Sequence, residues 1–250
     1  MRLLIITQYY WPENLRINDL TTELVNRGHK VTVLTGLPNY PSGSIFPEFQ
    51  SSPKSFLTFN GAKIVRVPIV PRGNRSIQLF VNYLSFIITA STIGLFRLRK
   101  QNFDAVFVFQ PSPVTVCLPA VLYRYLMKVP VAFWVLDLWP ETLKALGVVR
   151  SKRVLGLIGH LVSFIYNRND LVLGQSKSFL PNIQKYCKHD HIRYFPGWAE
   201  SVFSNGMSKS QSTGVDDGFF NVTFTGNVGE SQDFPAILDA AERLKDDQMI

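Results

Sequence analysis

At 250 residues, with 46% hydrophobic and 18% charged content, the chain has the apolar material for a large core and too little charge for a disordered one. The formal net charge is +8, and Lys63, Arg66, Arg72, Arg75, Arg97, Arg99 and Lys100 fall between positions 61 and 100 with no acidic residue among them. Such a balance admits nucleic acid, an anionic membrane surface or a phosphorylated substrate as partner. Two cysteines, Cys117 and Cys187, without metal spacing, and a start without a secretory pattern, lead us to expect a reduced, cytoplasmic protein.

The first apolar run, 2–7, reads as a buried strand and ends in "TQYYWPENLRI". No glycine lies between Met1 and Gly28, so the close backbone approach that a dinucleotide needs is missing there. The turn offers Tyr10, Trp11, Glu13, Asn14 and Arg16 instead, at the start of a helix over 14–27 whose positive end suits an anion. A rigid packing turn explains the same residues. Gly28 is placed to end that helix in the left-handed conformation, with His29 a surface turn residue before a second strand at 30–35.

Residues 36–62 show little periodicity and carry several prolines and glycines, which reads as a mobile lid, a substrate loop or a disordered insertion. Further strands are expected at 63–68, 104–109, 130–136, 170–174 and 191–195, with helices at 76–98, 113–127, 151–168 and 177–187. Continuous apolar strands alternating with helices imply an α/β, Rossmann-like parallel sheet with right-handed crossovers.

The helix at 76–98 poses its own question. Its stretch 77–96 has no charge, yet Gln78, Asn82, Ser85, Thr89 and Thr92 recur at steps of three and four, one stripe along a helix. Core helix, interfacial helix on anionic lipid, and membrane span are the three readings. The flanking cations bracket an apolar stretch rather than interleaving with aromatics, which argues against nucleic acid.

The strand at 130–136 leads into Asp137, Trp139 and Glu141 within "WVLDLWPETL". Ligands bind outside the carboxyl ends of parallel strands, so Asp137 and Glu141 are candidate catalytic carboxylates and Trp139 a platform for a sugar ring. Asp137 capping the next short helix is the competing reading. Residues 196–218 read as a linker. Beyond it, "FTGNVGES" places Gly226, Asn227 and Gly229 at a strand-to-helix turn where backbone can meet a phosphate, or where a plain turn needs glycine.

The opening "LLIITQYYWPENLRINDLTTELVNRGHKVTVLTGLPNYPSG", the segment "DLWPETLKALGVV" and "FTGNVGESQDFPAILDAAERL" together resemble bacterial family 4 glycosyltransferases, within them the colanic acid and O-antigen N-acetyl-fucosamine transferase-like subgroup. The resemblance implies a GT-B fold, with residues 1–195 as an acceptor-side domain and 219–250 as the opening of an incomplete donor domain. It implies transfer of a sugar from a nucleotide sugar to a lipid-linked, polyprenyl-diphosphate glycan acceptor, with retention and without metal or other cofactor. On that mapping Asp137, Glu141, Trp139, Tyr10, Trp11, Glu13, Asn14 and Arg16 line the acceptor side. Gly226, Asn227 and Gly229 approach the donor diphosphate, and the 77–100 helix meets the inner face of the plasma membrane. The family has Asn where this chain has Gly197. Its phosphate-gripping Arg and Lys and its E-x7-E segment lie further on than residue 250. The resemblance therefore also admits a truncated chain, or a non-catalytic acceptor- and membrane-binding half of a split enzyme.

Overall fold

Strands β1 (Arg2–Ile6), β2 (Lys30–Thr35), β3 (Thr58–Phe59), β4 (Ala62–Arg66), β5 (Ala105–Gln110), β6 (Val131–Val135), β7 (Leu171–Gly174) and β8 (Ile192–Tyr194) build one sheet in the order β3-β4-β2-β1-β5-β6-β7-β8. All neighbours are parallel except β3 with β4. The structure is a computed structural model and describes residues 1–73, 75–199, 221–226, 228 and 232–245. The strand order reverses between β1 and β5, the switch point where a doubly wound sheet opens a crevice at its carboxyl edge.

The helices are α1 (Arg16–Asn26), α2 (Pro47–Ser51), α3 (Ser76–Thr89), α4 (Leu95–Leu98), α5 (Leu118–Met127), α6 (Glu141–Ala145), α7 (Lys152–Tyr166), α8 (Phe179–Gln184) and α9 (Phe234–Leu244). Successive strand residues face opposite sides, and both sides are covered. Leu4 and Ile6 join the core beneath α3, α5, α7 and α8, while Ile5 joins a second core with Ile17 of α1 and the aromatics Phe109 and Trp134. Gly28 ends α1 at φ 82°, donating to Val25 O at 2.8 Å, as its position predicts.

Three expectations change. Within 36–62, α2, a 3-10 turn at Pro53–Phe56 and β3 replace the disordered insertion, while 36–46 carry no helix or strand. Trp11 stacks on Phe59 at 5.0 Å and packs on Phe56 at 4.8 Å, and Phe49 meets Phe56 at 5.6 Å. These contacts have no sequence period, so the order they impose leaves no pattern to read.

The expected linker begins late. Trp198 stacks on Trp134 at 5.6 Å with rings 11° apart, and its indole N–H donates to Asp19, so 196–198 belong to the sheet domain. Residues 200–218 lie outside the described residues. The strand expected in this segment is absent among the described residues 221–226, where Val222 is exposed. The amphipathic helix after it is present as α9.

The 76–98 helix buries one face, where Phe86, Ala90 and Leu98 join the main core, and exposes the other. α3 passes through a π-turn at Ala90–Gly94 into α4, where the Tyr123 hydroxyl donates to Ala90 O at 3.2 Å. Its polar stripe is divided, with Gln78 and Thr92 exposed. Asn82 and Ser85 face the sheet domain, whereas Ile77 (64% exposed), Phe80 (60%) and Ile88 (52%) face outward.

Candidate active site

The turn after β6 is held from both sides. Gln110, at the end of β5, donates through Nε2 to Asp137 O at 3.2 Å, and Gln175, after β7, donates to Leu136 O at 2.8 Å. Within the turn, Asp137 Oδ1 accepts from the Thr142 hydroxyl at 2.7 Å and Oδ2 accepts from Trp139 Nε1 at 3.2 Å. The carboxylate is half-buried at the carboxyl edge and fixed in direction, as a group acting on a substrate must be. No backbone N–H of α6 reaches it among the described residues, so the capping reading is replaced by side-chain bracing. Trp139 uses its N–H for that bracing and packs its ring against the main core. Glu141 opens α6; Oε1 accepts from the Tyr186 hydroxyl at 3.1 Å, and the buried Oε2 has no partner.

The turn after β1 departs from expectation. Tyr10 is fully buried in the core under α1, edge-on to Phe59 at 6.1 Å, and burial pushes its phenol up to about 12. It presents nothing to a ligand, because its ring completes the second core. Glu13 is also buried. Oε2 accepts from Tyr10 N at 3.0 Å and Oε1 from Asn39 N at 2.9 Å and Tyr40 N at 3.1 Å. Its carboxylate ties the β1 and β2 loops together. Burial raises the Glu13 carboxyl, while those three N–H groups and Arg66 draw it back. Arg66 donates to Gly36 O and Trp11 O and lies over Phe49; burial lowers it to about 10, still far above neutrality, so it stays charged. The guanidinium of Arg16 lies over Gly197, where a Cβ would come within 2.2 Å of Nη1. Asn14 alone of this group is exposed.

A polar and aromatic node behind the end of β1 is drawn from separate segments. Asn82 of α3 is fully buried: its Oδ1 accepts from Gln8 Nε2 at 2.6 Å and from the Tyr9 hydroxyl at 3.0 Å, and its Nδ2 donates to Val70 O at 2.6 Å. Tyr9 packs on Tyr40 at 5.1 Å, and the Arg72 guanidinium lies 5.2 Å from the centre of the Tyr40 ring. Burial raises the Tyr83 phenol; Arg72 opposes the rise and Asp137 adds to it, so one cation and one carboxylate act on the same phenol. Only the polar stripe on α3 hinted at this node from sequence. Arg72 was visible merely as one of seven cations.

Gly226 has φ 152°, a conformation that favours glycine; Asn227 and Gly229 lie outside the described residues. Among the described residues, no group of three or more His, Cys, Asp or Glu is placed to hold a metal.

The doubly wound, largely parallel sheet is the fold of an α/β domain of the GT-B type. Solved structures share that fold: sucrose-phosphate synthase of Thermosynechococcus elongatus (TM-score 0.54, 11% identity, 78% of this chain and 48% of that one) and the kitacinnamycin glycotransferase (TM-score 0.51, 13% identity, 84% and 55%). More particularly, the chain belongs to the glycosyl transferase 4-like domain family, which residues 14–198 match. It is 24% identical over 270 aligned positions to a protein of Escherichia coli (strain K12) named as a colanic acid biosynthesis glycosyl transferase, WcaI. That alignment covers 100% of this chain and 64% of the relative, so the chain spans about two thirds of that relative's length.

Proposed function

We propose that this chain is the acceptor-side portion of a retaining glycosyltransferase. It moves a sugar from a nucleotide sugar to a lipid-linked, polyprenyl-diphosphate glycan during cell-surface polysaccharide assembly. The observation that carries this reading is Asp137, braced by Thr142 and Trp139 at the carboxyl edge of β6 in a chain of this family. A carboxylate so placed orients the acceptor hydroxyl and draws on its proton as the new bond forms. Tyr83 and Arg72 complete that wall of the crevice, and Gly226, Asn227 and Gly229 belong to the donor-diphosphate side. The diphosphate leaving group is met by protein cations and N–H groups rather than by a metal.

The same reading puts the protein on the cytoplasmic face of the plasma membrane. The outward apolar side of α3 and α4, with Phe96 62% exposed and Arg75, Arg99 and Lys100 around it, suits an anionic lipid surface.

The test is turnover by the full gene product against a panel of nucleotide sugars, with a polyprenyl-diphosphate sugar as acceptor. Asp137→Asn lowers kcat by about a hundredfold or more with little change in melting temperature. Unchanged turnover in that variant defeats the assignment. Acceptor binding without turnover for any donor favours the non-catalytic half instead.

A further inference from the structure

Four of the described residues other than glycine have positive φ, and three of them have a local reason. Asn60, at 44°, turns the chain between β3 and β4 ahead of Gly61; Lys128, at 54°, ends α5; Asp233, at 46°, precedes α9. All three stay in the compact left-handed well that a side chain can enter at moderate cost. Ser112, at 141°, lies outside that well, in a region that only glycine enters freely. It stands between Pro111 and Pro113, in the short turn from β5 to the helical segment that begins at Val114. Both prolines lock their own φ, so the turn has few ways to release the residue between them. Ser112 is half-buried, and no described residue bonds its N–H or its hydroxyl, which leaves two donors at the end of β5.

The sheet register fixes what lies beside it. Gln110, the last residue of β5, pairs with Val135, the last residue of β6. Ser112 and Asp137 each follow two residues later, and Gln110 Nε2 donates to Asp137 O at 3.2 Å, so the two strand ends leave the sheet together. Neighbouring strands run about 4.8 Å apart. On its other side β5 borders β1, and the strand order reverses between those two, so Ser112 follows the strand at the switch point itself. A sugar ring with one hydroxyl on Asp137 brings a neighbouring hydroxyl to Ser112. A strained backbone that its surroundings hold is also a fixed one, which is what orienting a sugar hydroxyl requires.

We propose that Ser112 is a further substrate-contacting residue, whose hydroxyl and N–H take a ring hydroxyl of the acceptor sugar beside the one that Asp137 activates. The contact rests on the glycosyltransferase reading; the strain beneath it does not. The test compares Ser112→Ala, which keeps the strained backbone and loses the hydroxyl, with Ser112→Gly, which loses both. At an ordinary position glycine is the less stable of the pair. Here the chain with glycine should melt above the chain with alanine, by about 2 °C or more. In the full gene product, with a polyprenyl-diphosphate sugar as acceptor, Ser112→Ala should raise the acceptor KM about tenfold and leave the nucleotide-sugar KM unchanged. Ser112→Gly should lower kcat/KM for the acceptor further, although it is the more stable protein; a purely structural residue would lose activity and stability together. Alanine melting above glycine overturns the strain and the inference with it. A parental acceptor KM in both variants overturns the contact, and a raised nucleotide-sugar KM in its place overturns the assignment to the acceptor. Any of these beside a loss of turnover in Asp137→Asn leaves the transferase reading standing. A full gene product without turnover for any donor sinks that reading and this contact together.

Discussion

The Thr142 hydroxyl, in the first turn of α6, donates to Asp137 Oδ1 at 2.7 Å and is the shorter of the two side-chain bonds that orient this carboxylate at the carboxyl edge of the sheet. Thr142→Val keeps the side-chain volume and removes the donor. Asp137 retains Trp139 Nε1 but gains rotational freedom. We expect kcat to fall about tenfold with KM nearly unchanged, and stability to drop by about 1 kcal/mol. Steady-state kinetics with a parallel urea titration check both halves; a large stability loss with full turnover would make the bond purely structural.

Asn82→Ala strikes the buried node between the end of β1 and α3. Gln8 Nε2 and the Tyr9 hydroxyl lose their common acceptor and keep only each other, at 3.4 Å, while Val70 O loses its side-chain donor nearer the surface. The expected cost is about 3 kcal/mol, read as a lower urea midpoint. A loss below about 0.5 kcal/mol would mean that the node is not dry.

Gly43 and Gly147 form a matched pair of tests. Both have positive φ, 81° and 66°. A Cβ on Gly43 would stand 2.1 Å from Arg72 O, whereas one on Gly147 meets nothing within 4 Å. Gly147→Ala should cost only the backbone preference, about 1 kcal/mol. Gly43→Ala adds a displacement of the Arg72 backbone, so it costs about 2 kcal/mol or more and raises the acceptor KM. Equal Tm changes in the two variants would contradict this packing.

Asp170 sets an acid limit. Arg124 donates to both its oxygens, at 2.8 and 2.7 Å, and holds its carboxyl below the usual range; the Val131 N–H adds to this. A carboxyl lowered in the fold stabilises it fully above its unfolded pKa, near 4, and that contribution fades as pH falls through the lower folded value. Asp170→Asn is therefore less stable than the parent at pH 6, and the gap narrows towards pH 3. Thermal melts along that series decide it: a gap that stays constant with pH would show that no proton is linked there.

Leu84→Gln with Ile88→Gln changes the outward side of α3 without touching a core. Melting should stay within about 0.5 kcal/mol of the parent, while flotation with anionic vesicles falls at least tenfold. The parent's binding should weaken with salt. Undiminished flotation by the variant would remove α3 from any lipid contact.

The sheet was legible because Leu4, Ile5 and Ile6, and their counterparts in the other long strands, form unbroken apolar runs that only burial on two sides explains. Asp137 was legible because it follows such a run at once. Its bracing was not: Gln110 and Gln175 look like ordinary polar ends of strands until the sheet sets β5 and β7 on either side of β6. Tyr10, Trp11 and Glu13 misled for a related reason. An aperiodic loop does not say which way its side chains turn, and two of the three turn into the interior. The node joining Gln8 to Asn82 spans 74 positions, a distance over which no local rule operates.

The inward stripe on α3 bears on how the molecule behaves at a surface. Asn82 and Ser85, with Phe86, Ala90 and Leu98 buried beside them, are its fasteners, and the greasy flank is left over once they are engaged. A helix anchored that way owes nothing of its shape to hydrocarbon. On the proposed peripheral reading it settles on a bilayer and peels away again with its interior intact, so a high-salt wash should release the protein natively folded, where a true span would demand detergent.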